Sequence, residues 1–254
     1  MKRLRYFITL LFTLTDKELR VRYKHTVFGF LWMVINPVLQ MIVIGFIFQF
    51  IFKQQIQNQY YYLFTGLLAW GFFNISLSKT TQCIVNERSL VKKAAFPREV
   101  IPMSIILADF FNFLLALFIL GIIATIGGFE VVERLPSLFF ALMLLLVFTT
   151  GLSLLTSALH VKYRDVAFFV QALLTVWFYA TPIVYTLSVI PERLLFLWNL
   201  NPMTSIVLLL QHSFLNLSFP NSQILQINIA LILLIATLGV LVFRRESKNF
   251  DDWI

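Results

Sequence analysis

Apolar residues run almost unbroken along most of this chain, and the runs are too long and too uniform for strands. A strand of an outer-membrane barrel alternates apolar and polar positions over about ten residues, whereas Ala141–Phe148 is apolar throughout. A helix rises about 1.5 Å per residue, so crossing a hydrocarbon layer of roughly 30 Å takes about 20 such residues. Six stretches meet this requirement: Phe28–Phe52, Tyr60–Cys83, Val100–Gly127, Pro136–Leu159, Val166–Thr186 and Gln223–Phe243. The pattern predicts an all-α integral membrane protein with six transmembrane helices. The 254 residues then form one transmembrane domain: 1–27 a flanking segment, 28–243 the bundle, and 244–254 a tail.

Composition excludes the alternatives. The chain is 59% hydrophobic and 13% charged, with a mean hydropathy of +0.85. Soluble domains are nearer 45–50% apolar and about 25% charged. A water-soluble fold of this size could not hide so many side chains, which removes soluble enzymes and disordered proteins together.

The charges orient the bundle. Lys and Arg cluster before the first span (Lys2, Arg3, Arg5, Lys17, Arg20, Arg22, Lys24), between the second and third (Lys79, Arg88, Lys92, Lys93, Arg98), between the fourth and fifth (Lys162, Arg164) and in the tail (Arg244, Arg245, Lys248). Of the 20 Lys and Arg, only Lys53, Arg134 and Arg193 fall on the other side. The positive-inside rule therefore predicts cytoplasmic N- and C-termini. It also accounts for the net charge of +8, since cationic loops beside anionic lipid need no nucleic-acid partner.

Two segments depart from a plain serpentine. Leu4, Phe7, Ile8 and Leu11 share one helical face between charged ends, which predicts an amphipathic helix on the cytoplasmic interface rather than a cleaved signal peptide. The last outer loop, Leu187–Ser222, is long and apolar and is punctuated by Pro191, Pro202 and Pro220. Leu194–Leu200 and Met203–Leu217 within it are too short to span, and each suits a re-entrant or interfacial helix. A further pair of crossings would leave the charge pattern unchanged, so length is the argument against it.

Candidate chemistry is sparse. One Cys (Cys83) and three scattered His (His25, His160, His212) predict neither disulfides nor a metal cluster. The glycines form no phosphate loop, so this chain is expected to hold no nucleotide, and no catalytic motif occurs. Asp109 is the one acid well inside a span. It carries either an ion or proton step or a structural pairing with a basic partner near the cytoplasmic end.

Aromatics are the positive signal: 28 Phe, 8 Tyr and 5 Trp. Tyr60, Tyr61, Tyr62 and Trp198 fall at expected outer ends, where amphipathic rings belong. Phe28, Trp32, Phe46 and Phe50 share a stripe with Asn36 in the first span, and in the fifth Gln171, Thr175, Phe178, Pro182 and Tyr185 form another. Rings mixed with amides and hydroxyls suit a passage for sugars, whose C–H faces stack on rings while their hydroxyls bond amides. Helix packing would use the same rings.

Five motifs occur in a familiar order. Arg22-Tyr23-Lys24-His25-Thr26-Val27-Phe28-Gly29-Phe30-Leu31-Trp32 followed by Asn36-Pro37, then Phe96-Pro97-Arg98-Glu99-Val100-Ile101-Pro102, Tyr163-Arg164-Asp165-Val166, Phe178-Tyr179-Ala180-Thr181-Pro182-Ile183-Val184-Tyr185, and Asn201-Pro202-Met203 together resemble the type-2 ABC permeases that export polysaccharides. Thr26 and Thr181 stand where that family has Ser, and Phe28 where it has Leu. The resemblance implies the membrane half of an O-antigen, capsule or teichoic-acid exporter, with O-antigen the first expectation. It implies a homodimer with two separate ATPase subunits that hold ATP and Mg, a lipid-linked polysaccharide as substrate, and a place in the plasma (inner) membrane. The ring-and-amide stripes make Trp32, Asn36, Gln171, Thr175, Phe178 and Tyr185 the candidate substrate path. The cationic cytoplasmic loop, with Arg88, Lys92, Lys93, Phe96, Pro97, Arg98 and Glu99, is the candidate ATPase contact. A drug or small-lipid permease of the same superfamily, and an integral membrane transferase acting on lipid-linked sugars, remain alternatives.

Overall fold

The structure, a computed structural model, describes residues 2–24, 29–47, 58–93 and 96–253. Among them every regular element is helical. Phe28 and Phe52, the expected limits of the first span, lie outside the described residues, as do Phe50 and Lys53. The helices are α1 (Lys2–Tyr23), α2 (Trp32–Phe46), α3 (Gln59–Asn86), α4 (Arg88–Lys93), α5 (Val100–Ile126), α6 (Leu135–Lys162), α7 (Val166–Tyr179), α8 (Leu195–Asn199), α9 (Pro202–Leu215), α10 (Ser222–Glu246) and α11 (Phe250–Trp253).

Among the described residues three stretches are long and apolar enough to cross a bilayer: Val100–Ile126, Val132–Lys162 and Ser222–Asn249. The pair Glu192–Asn199 and Pro202–Leu215 meets at 91° and makes a fourth if taken as one broken span. The α3 helix has 28 residues, long enough at about 1.5 Å per residue, but Asn74, Ser76, Ser78, Lys79, Thr80 and Thr81 dilute its apolar run. The α2 and α7 helices are apolar and shorter, at 15 and 14 residues.

Local chemistry sets the helix ends. The α7 helix stops at Tyr179, ahead of Pro182, whose ring and missing N–H forbid a continued helix. The Asn201 side chain accepts from the Met203 N–H at 3.0 Å and Pro202 follows as the first helical residue, the combination that starts a helix best. Asn221 caps α10 in the same way, accepting from the Gln223 N–H at 2.9 Å.

Most of α9 is buried, and it packs on α3, α6 and α10. Around it lies the main core, in which Phe73 and Phe148 stack at 5.4 Å and Trp177 meets both rings edge-on. Along α6 and α10 the backbones touch at Gly151 and Gly239. A methyl group on Gly239 would drive into the Gly151 backbone, and one on Gly151 would stand 2.8 Å from the Ala236 nitrogen. Small residues give such close approach its dispersion gain.

A second core closes the end of the bundle that carries both termini. Cys83, Ile84, Val91, Ile101, Leu154, Val161, Phe243 and Phe250 are buried there. The segment expected as a tail does not hang free. The α10 helix runs three residues beyond Phe243, and the chain turns so that Phe250 meets Phe243 edge-on at 5.5 Å. Lys162 sits over the Trp253 ring at 5.4 Å. The α1 helix lies against α5, and Lys17 pairs with Glu87 at 2.8 Å.

Candidate functional site

The end of α1, together with α2, α3 and α5, borders a half-open cavity of about 410 Å³. Pairs of residues one helical turn apart build its wall, because i and i+4 side chains share a face: Asn36 with Gln40 on α2, and Trp70 with Asn74 on α3. Asp109 and Asn112 supply the α5 wall. Indole rings, phenyl rings and carboxamides therefore converge on one volume.

Asp109 is buried, and all its partners are local to this cavity. Its Oδ1 pairs with the Arg22 guanidinium and stands 3.5 Å from Lys79 Nζ. Its Oδ2 accepts from the Ser76 hydroxyl at 3.2 Å. The carboxylate thus joins α1 to α3 and α5, a pairing of the kind that was one of the two readings open for it. Asn112, one turn further, is 1% exposed, and neither its oxygen nor its nitrogen has a hydrogen-bond partner among the described residues.

Of the residues expected on the substrate path, Trp32 and Asn36 line this cavity. Phe178 reaches its edge from α7, meeting Trp70 at 5.7 Å between ring centres. Gln171 and Thr175 do not join them. They are exposed on α7 among Phe168, Phe169, Val176 and Tyr179, and the Thr175 hydroxyl folds back onto the Gln171 carbonyl at 3.1 Å. Tyr185 belongs to a network at the far end of the bundle. Its hydroxyl accepts from Trp198 Nε1 at 2.7 Å and donates to the Tyr179 carbonyl at 2.6 Å. The Tyr62 hydroxyl donates to the carbonyls of Pro182 and Tyr185. Asn201 completes the lock: it accepts from Trp177 Nε1 at 2.8 Å and donates to the Ala180 carbonyl and the Thr181 hydroxyl, both at 3.0 Å.

The residues expected to meet an ATPase divide similarly. Arg88 and Lys92 are exposed on α4, and Lys93 ends that helix. Phe96 packs against the second core, and Pro97 is exposed. Arg98 bonds the Ser247 carbonyl and lies 6.0 Å from the Phe250 ring centre, while Glu99 stands 3.9 Å from Arg244. Arg98 and Glu99 thus hold the C-terminal turn in place. Among the described residues no group of His, Cys, Asp and Glu could hold a metal ion.

The sequence reading missed Gln40, Trp70, Asn74 and Asn112. Their signal was present, since an amide recurs one turn from another polar group or ring inside three otherwise apolar helices. What the sequence lacked was the knowledge that these three faces meet.

Apolar helices of membrane length, packed together around a half-open cavity, define a multi-pass membrane protein. The chain belongs to the ABC-2 type transporter family, whose pattern matches residues 9–215. It is similar to the O-antigen export system permease protein RfbA of Myxococcus xanthus, at 33% identity over 243 residues, which is 94% of this chain and 93% of that one. Two proteins of the same name from Klebsiella pneumoniae are 31% and 30% identical over 250 and 253 residues, in each case 97% of this chain and 95% of theirs.

Proposed function

We propose that this chain is the membrane-spanning subunit of an ATP-driven exporter that moves lipid-linked polysaccharide of the O-antigen class from the cytoplasm to the outer face of the plasma (inner) membrane. The observation that carries this reading is similarity over nearly the whole chain to three permeases named for that task. The subunit works as a homodimer with two separate ATPase subunits, which bind ATP and Mg. Six spans are formed by α2 with its flanks, α3, α5, α6, α7 with its continuation to Thr186, and α10. The termini are cytoplasmic, α1 lies at the interface, and α8 with α9 is re-entrant from outside. The cationic residues gathered at the end of both termini support this orientation. The ATPase meets Arg88, Lys92, Lys93 and the turn Phe96–Glu99.

Exposed Gln171 and Thr175 support the second copy. A carboxamide in hydrocarbon is costly, so this face of α7 turns toward a partner protomer or the passing glycan rather than lipid. Trp32, Asn36 and Phe178 complete the path, with Tyr185 contributing its ring face alone, since its hydroxyl is held by Trp198 and the Tyr179 carbonyl. Rings and amides offer weak, repeated contacts that let a long chain slide without stalling.

The test is deletion of the chain from its own cell, followed by complementation. Export predicts loss of surface polysaccharide, with lipid-linked glycan accumulating inside, and recovery on complementation. Unchanged surface polysaccharide with altered drug susceptibility would instead favour the drug-permease alternative. The purified chain alone is expected not to hydrolyse ATP.

A further inference from the structure

The cationic helix α4 is too short to hold its own place. It spans only Arg88–Lys93, and a helix of that length is marginal in water without packing. The Val91 N–H donates to the Glu87 carbonyl at 3.0 Å, which ties α4 to the end of α3. The Val91 side chain, 2% exposed, enters the second core. There α4 also packs on α11, which follows α10. The same C-terminal turn reaches two further junctions. Arg98, between α4 and α5, bonds the Ser247 carbonyl, and Lys162, at the end of α6, sits over the Trp253 ring. Phe250 is fully buried beside Phe243 in the core it shares with Val91. Ending α10 at a membrane surface requires none of this. Behind the turn, α10 and α6 are in backbone contact at Gly151 and Gly239. A close-packed interior has low compressibility and transmits displacement, so a push on α4 has a stiff route through this core to both spans.

We propose that the C-terminal turn, residues 247–253, holds α4 in place and carries its movement into α10 and α6, with Phe250 as the positioning residue for transport. The proposal rests on the reading that α4 meets the ATPase, and it deepens that reading: α4 receives the push, and the turn hands it to the spans. The ion pair between Glu99 and Arg244 is not the link. It is 3.9 Å long with the arginine 72% exposed, and such pairs contribute little. The buried ring is what must stay.

The experiment compares Phe250→Ala with the parent by three measurements. Surface polysaccharide per assembled complex is read on cells, and ATP turnover on the purified permease–ATPase complex in lipid nanodiscs. Amide hydrogen exchange of the same complex is followed in peptides covering α4 and α9. In Phe250→Ala, surface polysaccharide per complex should fall about fivefold or more while the ATPase subunit stays bound and turns over. The α4 amides should exchange about tenfold faster or more, and those of α9, in the main core, should not change. Phe250→Leu, which refills most of the space, should restore both. Each of four results overturns the proposal: normal surface polysaccharide per complex, α4 exchange at the parent rate, α9 exchange that rises as much as that of α4, or ATP turnover that falls as far as export. Should Phe250→Ala fail to assemble, Trp253→Ala, which loosens only the half-buried end of the turn, is judged by the same criteria at about twofold or more. An Arg88→Glu/Lys92→Glu variant that keeps its ATPase subunit and export would remove the docking reading alone, since α4 exchange does not depend on it.

Discussion

Replacing Asp109 by Leu should destabilise the protein more than any other single change at the cavity, and the structure allows the size to be worked out. The carboxylate is 3% exposed, and its Arg22 partner 21%. Removing one member of a buried pair costs about 3–5 kcal/mol, because the other charge remains without its partner. Arg22 keeps some access to water, so the lower end, about 3 kcal/mol, applies. Lys79 is 43% exposed at 3.5 Å, and an exposed pair of that kind adds less than about 1 kcal/mol. In a chain of this size each kcal/mol moves the melting temperature by about 2–4 °C, so Asp109→Leu should melt roughly 6–12 °C below the parent. The assay is thermal unfolding of the permease–ATPase complex, read by fluorescence-detected size exclusion. The double variant Arg22→Met/Asp109→Leu removes both charges and replaces them with apolar bulk, which is commonly neutral or stabilising. It should recover most of the loss, and the recovery should change little with salt because the pair is shielded from ions. Export should follow stability, failing in the single variant and returning in the double. A single variant that melts within 2 °C of the parent refutes the pairing. A double variant that is stable but exports nothing refutes the structural role and returns Asp109 to an ion or proton step.

Three further outcomes are expected. Gly239→Ala should lower stability by about 1–3 kcal/mol, as overpacking does, because its methyl meets Gly151 backbone rather than a movable side chain; an unchanged melting temperature would show that α6 and α10 can part. Asn201→Ala should cost about 2–4 kcal/mol, combining a lost helix cap with an unpaired Trp177 N–H, and limited proteolysis should then cut first between α7 and α9. Tyr185→Phe should lower stability by about 1–2 kcal/mol while keeping export per assembled complex; if export per complex falls, the hydroxyl touches the glycan and the tether is secondary.

What could be read without coordinates follows from how far each interaction reaches along the chain. Helix existence depends on neighbours within one turn and was legible, whereas of the six spans expected by apolar length three, or four with the bent pair, are long and apolar enough among the described residues. The charge asymmetry was legible too, since it needs only a count by loop. Asp109 was recognised as odd, but its partners lie 87 and 30 positions away, and no local pattern names them. The same limit explains the aromatic stripes. A period of 3.6 says which side chains share a face, and Trp32 with Asn36 do face one volume. It does not say what that face meets, and so the face of α7 bearing Gln171 and Thr175 looked equivalent although it turns outward.

Tyr185 shows how chemistry suited to a sugar can be taken up by the fold instead. In sequence it is a ring next to the expected outer end at Thr186, on one face with an amide and a hydroxyl. In the structure Trp198, Tyr179 and Tyr62 draw it into a network that fixes the segment between α7 and α9. This segment has no long helix to hold it, and its backbone carbonyls at Tyr179, Ala180 and Pro182 would be costly without donors in an apolar setting. Side-chain donors from Tyr185, Asn201 and Tyr62 supply them. Hydroxyls on intact helices turn to the backbone as well: on α3 Thr80 and Thr81 donate to the carbonyls of Ser76 and Leu77, and on α5 Ser104 donates to that of Ile101. Polar side chains in an apolar bundle are therefore drawn to whichever carbonyls they can reach, and the draw is strongest at the break between α7 and α9, where the helix no longer supplies the N–H.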